Sequence, residues 1–78
     1  MAPEKQFRIG LVSASVFANE VNGEGGKRIV RSVNVQRRYR EGDGDWKTAT
    51  TFGLSDLPAA IRVMQLAQQH VEEQEASL

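Results

Sequence analysis

The chain contains no cysteine, and this absence removes two kinds of support that small proteins use. Without thiols the protein can form neither a disulfide nor a cysteine-ligated zinc site. A domain of 78 residues buries only about 60% of its unfolded surface, so a core of this size is marginal. We therefore predict one domain, residues 1–78, that gains stability by self-association.

Long apolar runs are also absent. No stretch approaches the roughly 20 apolar residues of a membrane helix, and the opening residues MAPEKQFR lack the apolar segment of a signal peptide. We expect a cytoplasmic protein without a membrane partner, and a nucleoid-associated location is compatible with this expectation.

The side chains that carry catalysis and bind metals are scarce. His70 is the one histidine, so it cannot be half of a zinc motif. Asp43 and Asp45 lie in a glycine-rich segment that is too short for a calcium loop and lacks its closing glutamate. The glycines of residues 23–26 precede no helix and no GK[ST] motif. The sequence therefore predicts a protein that is not an enzyme and has no cofactor and no metal.

Charge is distributed unevenly along a chain whose formal net charge is zero. Residues 27–47 hold seven basic residues against three acidic ones, a local net charge of +4, whereas residues 56–78 sum to −3. Such a division favours a polyanionic partner on the basic side.

Apolar residues alternate with polar ones through most of the first 53 residues, as in half-buried strands. Phe7, Ile9 and Leu11 are apolar on one parity and Val12, Ala14 and Val16 on the other, so the phase changes near Gly10. Residues 7–21 therefore form one long bent strand or two short strands. Glycine-rich turns at residues 22–26 and 41–45 separate this segment from strands at 27–40 and 46–53.

A helical period follows over residues 55–75. Ser55 or Asp56 can cap the helix, and Pro58 falls in its first turn. The apolar arc is wide enough to face the sheet on one side and a second subunit on the other. We predict an α+β fold, in which a curved antiparallel β-meander of three long or four strands at residues 6–53 precedes one C-terminal helix, and residues 1–5 are disordered. The predicted homodimer interface lies on the helix at Leu57, Ile61, Met64, Ala67 and Val71.

One face of the strand at 27–40 is polar except for Val30. It carries Arg28, Arg38 and Arg40, with a serine, an asparagine and a glutamine between Arg28 and Arg38. Phe17 on the first strand would add an aromatic ring if it shares this face. Single-stranded nucleic acids are bound by basic grooves in which bases stack on rings. The alternative is a solvated face that arginines keep soluble. Tyr39 and Trp46 are compatible with either a core or a stacking role, and we expect Arg31 and Arg37, on the opposite parity, to reach solvent at the sheet's margins.

The order of several short motifs resembles the single-stranded-DNA-binding domain of the transcriptional coactivator positive cofactor four and its small bacterial and phage relatives. These motifs are FRIG at 7–10, VNV at 33–35, Tyr39, Trp46-Lys47 and GLS at 53–55 before the helix, and the resemblance covers about residues 6–72. It implies a four-stranded sheet, a homodimer through the helices, and paired basic surfaces for two antiparallel single strands or one looped strand.

By position, the resemblance makes Tyr39 a base-stacking aromatic and Lys47 a phosphate-contacting lysine. It implies that Lys27 and Arg28 also contact the backbone of the nucleic acid. Gln36 stands where the family has a DNA-contacting arginine, and Thr50-Thr51 replace a basic pair.

The leading hypothesis is a sequence-tolerant protein that binds single-stranded DNA, or alternatively RNA, in transcription, replication or repair. The predicted nucleic-acid-binding residues are Phe17, Lys27, Arg28, Arg38, Tyr39, Arg40, Trp46 and Lys47. The competing hypothesis is a protein-interaction module that uses the helix stripe and the basic sheet face.

Overall fold

A computed structural model describes residues 2–76 as one open sheet followed by one helix. The strands are β1 (Lys5–Ile9), β2 (Val12–Gly23), β3 (Gly26–Arg40) and β4 (Trp46–Ala49), and the helix is α1 (Leu57–Ala76). Each strand pairs antiparallel with the next along the chain, in the order β1-β2-β3-β4. The predicted α+β meander with one C-terminal helix is confirmed, and it has four strands.

Gly10 separates β1 from β2. Its φ of 62° lies in the left-handed region, which favours glycine because it lacks a Cβ. The chain reverses there, so the phase change in the sequence marks a turn between two strands and not a bend within one. β2 and β3 are joined by the two-residue turn Glu24-Gly25, and this long hairpin has Gly23 opposite Gly26.

β4 is shorter than the predicted strand at 46–53, because the chain leaves the sheet after Ala49. Arg37 holds the departing segment by donating from Nε to the Thr51 carbonyl at 3.0 Å. Asp56 then starts the helix, since its carbonyl accepts the Ala60 N–H at 3.0 Å. Its carboxylate accepts the Gly53 N–H at 3.1 Å, which fixes the loop before the helix.

The core is small and lies between one face of the sheet and the helix. Among the residues whose burial the structure describes, six apolar ones are buried: Val12, Ala14, Val16, Ala60, Val63 and Ala67. The largest fully buried side chains are valines, Val16 and Val63. Three of the six are alanines, so the apolar surface that one chain buries is modest for a domain of this size.

The molecule is elongated, with extents of 51 × 22 × 16 Å, and the β2–β3 hairpin extends beyond both outer strands. β1 covers only Val12–Val16 of β2, and β4 covers only residues 37–40 of β3. Residues 17–36 therefore form a two-stranded arm. None of the helical segments within residues 2–76 has the length and apolar character to cross a membrane.

The N-terminal residues were predicted to be disordered up to residue 5. Lys5 opens β1, and the Glu4 N–H donates to the Val16 carbonyl at 2.7 Å. Met1 lies outside the described residues.

Candidate nucleic-acid interface

Strand register divides the side chains of the sheet between two faces. Residues opposite each other in an antiparallel pair point to the same face, and neighbours along a strand point to opposite faces. Val16 is opposite Val33 on the side that α1 covers, which we call the helix face. Phe17 is opposite Ser32 on the other side, which we call the open face because no element of the described chain packs there.

Within the strands of the described chain, the open face carries four arginines and no carboxylate. Even-numbered residues of β3 place Arg28, Arg38 and Arg40 there, and Arg8 of β1 joins them because it is opposite Ser13. The full set on this face is Gln6, Arg8, Ser13, Ser15, Phe17, Asn19, Val21, Arg28, Val30, Ser32, Asn34, Gln36, Arg38, Arg40, Trp46 and Thr48. Arg28, Arg38 and Arg40 therefore share one face, as their parity predicted, and Phe17, whose face the sequence left open, lies on the same face.

The basic residues of β3 and β4 on the helix face are all paired with carboxylates. Their ion pairs are Lys27–Glu20 at 3.3 Å, Arg31–Glu4 at 2.9 Å, Arg37–Asp56 at 3.6 Å and Lys47–Glu41 at 2.6 Å. Within residues 2–76, none of the four open-face arginines lies within ion-pair distance of a carboxylate. On β3 and β4, strand parity thus separates compensated cations from uncompensated ones, and the uncompensated arginines of these strands lie on the open face.

Arg31 and Arg37 do not simply extend into solvent as expected. The Arg31 side chain is only 13% exposed and donates to both oxygens of Glu4, at 2.9 and 3.0 Å. These bonds, together with a bond from His70, lower the pKa of Glu4 from 4.5 to about 2. Arg37 is held by Asp56 and Thr51. Both arginines therefore stabilise the fold and are unavailable to a ligand in this arrangement.

Trp46 supplies an exposed ring at one end of the open face. It is 48% exposed, and the Arg38 guanidinium lies 5.1 Å from its ring centroid. Arg40 is directly opposite Trp46 and donates from Nε to the Gly44 carbonyl at 3.0 Å. An exposed aromatic ring with arginines beside it can stack on a base while the cations contact phosphates.

Phe17 lies farther along the same face, where it is half-buried. It is opposite Ser32, six residues from Arg38, which corresponds to about 20 Å along the strand. Val21 and Val30, both partly exposed, flank it toward the tip and add apolar surface beside Arg28. The open face therefore has two apolar contact areas, each with arginine beside it.

Three residues of the predicted site lie on the helix face. Tyr39 is half-buried, opposite Lys47, and the Arg37 guanidinium lies 5.2 Å from its ring centroid. Lys27 is also on this side and is paired with Glu20. The predicted set of eight thus divides into five residues on the open face, Phe17, Arg28, Arg38, Arg40 and Trp46, and three on the other.

Between the two apolar areas the open face is formed by small polar residues. Ser13 and Ser15 are buried although no helix covers them. Gln6 is opposite Ser15 and donates to Ser15 Oγ at 3.1 Å. Gln6 and Arg8 were not predicted as residues of the site. The signal that could have found them is the turn at Gly10, which places both on the open face by parity.

The residues predicted for the dimer interface also fall into two groups. Leu57, Ile61 and Met64 are 41%, 55% and 54% exposed on one side of α1. Ala67 is buried in the core of its own chain, and Val71 packs against that core. Three of the five therefore remain free to contact another molecule.

No family model, curated protein or solved structure matches this chain. In the described part of the chain, no three acidic or histidine side chains come together as a metal site.

Proposed function

We propose that this protein binds single-stranded nucleic acid, with single-stranded DNA as the preferred ligand, on the open face of its sheet. The observation that carries the proposal is the segregation of charge: four arginines share a face with two aromatic rings and no carboxylate, while the basic residues of β3 and β4 on the helix face are neutralised. A face kept only for solubility would gain nothing from excluding acidic residues.

Arginine suits this task because its planar guanidinium donates two parallel hydrogen bonds to a phosphate. Arg28 and Arg38 are ten residues apart on β3, about 33 Å at the rise of an extended strand. In the proposed complex the backbone of the ligand runs along β3 between them. Bases stack on Trp46 and Phe17, and serine, asparagine and glutamine side chains contact the ligand without selecting one sequence.

In this proposal the protein acts as a homodimer, and its two subunits associate through Leu57, Ile61 and Met64 of α1. The resemblance to the positive cofactor four domain supports a role in transcription, replication or repair. The helix face and the open face are opposite sides of one sheet, so association through the helix leaves the open face accessible.

Fluorescence anisotropy with a labelled oligo-dT strand tests this proposal at two salt concentrations. Because binding releases counterions, the logarithm of the affinity should fall linearly with the logarithm of salt concentration. Duplex DNA of the same length should bind more weakly, since its bases cannot stack on the rings. Absence of binding at low salt, or equal affinity for the duplex, would show that the open face is not a single-strand site.

A second candidate function is a protein-interaction module, which the exposed stripe on α1 favours. In that case Leu57, Ile61 and Met64 dock a partner protein and the open face binds an acidic protein surface. The two functions differ in one measurable respect: only the first predicts loss of oligonucleotide binding from the double variant Arg38→Gln, Arg40→Gln.

A further inference from the structure

β1 is the outermost strand on one side of the sheet, and its outer edge is free. The Glu4 N–H donates to the Val16 carbonyl at 2.7 Å, so the even-numbered residues of β2 bond toward β1. Because bonding alternates along an antiparallel strand, Gln6 and Arg8 direct their own N–H and C=O groups outward. Among residues 2–76, no strand pairs with these outward groups.

A crevice of about 270 Å³ borders this edge on the helix face. It is lined by Lys5 and Phe7 of β1 and by Leu66, Gln69, His70 and Glu73 of α1. Phe7 and Leu66 are half-buried and supply its apolar wall. The crevice is separate from the exposed stripe of α1, because Ile61 and Met64 border a different groove beside Val33 of β3.

Uncompensated cations surround the free edge on both faces of the sheet. Lys5 lies on the helix face and Arg8 on the open face. Arg62 is one turn before Leu66 on the same side of α1. Within residues 2–76, none of these three cations forms an ion pair with a carboxylate.

The carboxylates near the crevice do not balance these cations. Glu4 is already paired with Arg31 and accepts two hydrogen bonds from it. Glu73 is the one carboxylate that lines the crevice, and its oxygen accepts from Gln69 Nε2 at 3.1 Å. Three cations therefore border a surface with one free carboxylate.

This charge indicates which kind of strand can pair with the edge. A second copy of β1 would bring Lys5 and Arg8 against the same residues, and like charges on adjacent strands destabilise the pair. An extended segment that carries carboxylates meets the opposite sign. When a peptide adds to a sheet edge, its main chain supplies the hydrogen bonds and pockets for alternate side chains supply the specificity.

We propose that an extended peptide of alternating acidic and apolar residues binds the outer edge of β1 as a fifth strand of the sheet. Its apolar side chains enter the crevice against Phe7 and Leu66, and its carboxylates lie on the other side of the strand, near Arg8. This inference goes beyond the proposed function and does not depend on nucleic-acid binding.

Fluorescence anisotropy with a labelled peptide tests the pattern that the edge requires. The probe alternates four glutamates with four valines, and the control peptide has the same composition with its glutamates in one block. The natural chain should bind the alternating peptide and bind the control several-fold more weakly, because only alternation places every carboxylate on one side of a strand. No binding of the alternating peptide, or equal binding of both, would overturn the proposal; equal binding would mean attraction by charge alone.

Backbone pairing is tested by removing one outward N–H. Gln6→Pro removes this donor and leaves the bonds between β1 and β2 in place, as edge strands tolerate. Gln6→Ala is the matched control, because it also loses the bond to Ser15 but keeps the N–H. Peptide binding should be lost in Gln6→Pro and retained in Gln6→Ala; retention in a folded Gln6→Pro variant would contradict strand addition.

Methylated peptides test the same pairing on the natural chain. In one peptide the glutamate amides are N-methylated, and in the other the valine amides. An added strand bonds to β1 through alternate residues only, so one of the two peptides should lose binding and the other should keep it. Equal binding of the two methylated peptides would overturn the proposal.

The contribution of charge is tested at Arg8. Arg8→Gln should weaken binding of the alternating peptide by about 2- to 5-fold, the effect of losing one exposed ion pair. Arg28→Gln is the matched control, since Arg28 is an uncompensated arginine of the same face but lies on β3, near the turn of the arm. An equal loss in both variants would assign the peptide to the open face and not to the edge of β1.

Discussion

Glu4 accepts two hydrogen bonds from Arg31, at 2.9 and 3.0 Å, across 27 residues of sequence. The same carboxylate lies 2.9 Å from His70 Nε2 on α1, so one side chain ties the start of β1 to β3 and to the helix. Both partners stabilise the charged form of Glu4, and its pKa falls from 4.5 to about 2. Glu4 is therefore part of the fold, although it precedes the first strand.

This contact predicts a specific loss of stability in acid. The pKa of Glu4 is lower in the folded chain than in the unfolded one, so its contribution is fully present above about pH 4.5. The contribution disappears as the pH falls from about 4.5 to about 2. Urea denaturation across this range should show the stability difference between the natural chain and Glu4→Gln shrinking toward zero. A difference that is independent of pH would mean that the carboxylate is not stabilised by Arg31 and His70.

Arginines of the open face should determine the salt dependence of binding. Replacing Arg38 and Arg40 by glutamine should reduce the slope of log affinity against log salt by about 1.4, at roughly 0.7 for each phosphate contact on a single strand. The matched control is Lys47→Gln, which removes a positive charge on the helix face that is already paired with Glu41. An equal effect from Lys47→Gln would restore the phosphate-contact role that the family resemblance implies for this lysine.

Trp46 should report binding directly, because it is the one tryptophan of the chain and is exposed on the open face. Oligonucleotide should quench its fluorescence. Trp46→Ala should weaken binding by about 5- to 150-fold, which corresponds to roughly 1–3 kcal/mol for one stacked base. Tyr39→Ala serves as the control on the opposite face, and a larger loss from Tyr39→Ala would contradict the assignment of the site to the open face.

Replacing Gly10, which lies in the turn between β1 and β2, should lower the stability of the fold. Its φ of 62° would cost an alanine about 1–2 kcal/mol, although no atom lies close enough to obstruct a Cβ. Gly25→Ala is the control, since Gly25 also has open space around it and its φ is not positive. Urea midpoints should fall for Gly10→Ala and stay nearly constant for Gly25→Ala; equal midpoints would show that the turn does not depend on the left-handed residue.

The secondary structure could be predicted closely because its signals are local. Alternation defined the strands, glycines marked the reversals, and Pro58 with Asp56 marked the start of the helix. The bounds that differ, such as the early end of β4, depend on contacts between distant residues, here Arg37 with Thr51. No local pattern in residues 46–53 carries that information.

The candidate site could be predicted only in part. Parity alone places Arg28, Arg38 and Arg40 on one face, and the structure agrees. Alternation within one strand does not show how β1 aligns with β3. Arg8 could be assigned to the open face only from the turn at Gly10, which fixes the pairing of β1 with β2. Parity also places Tyr39 with Val33 and Val35, on the face opposite these arginines, whereas the family resemblance included Tyr39 and Lys47 in the site.

The amino-acid sequence by itself determined the order of the elements and the alternation of side chains between two faces within each strand, because both follow from backbone geometry over a few residues. Only the tertiary structure decided which cations are free. Glu4 reaches Arg31 and His70, and Asp56 reaches Arg37, through folding of the chain. Coulomb energy depends on distance in space and not on separation in sequence. The same seven basic residues between Lys27 and Lys47 thus divide into four that stabilise the fold and three that remain available on the open face.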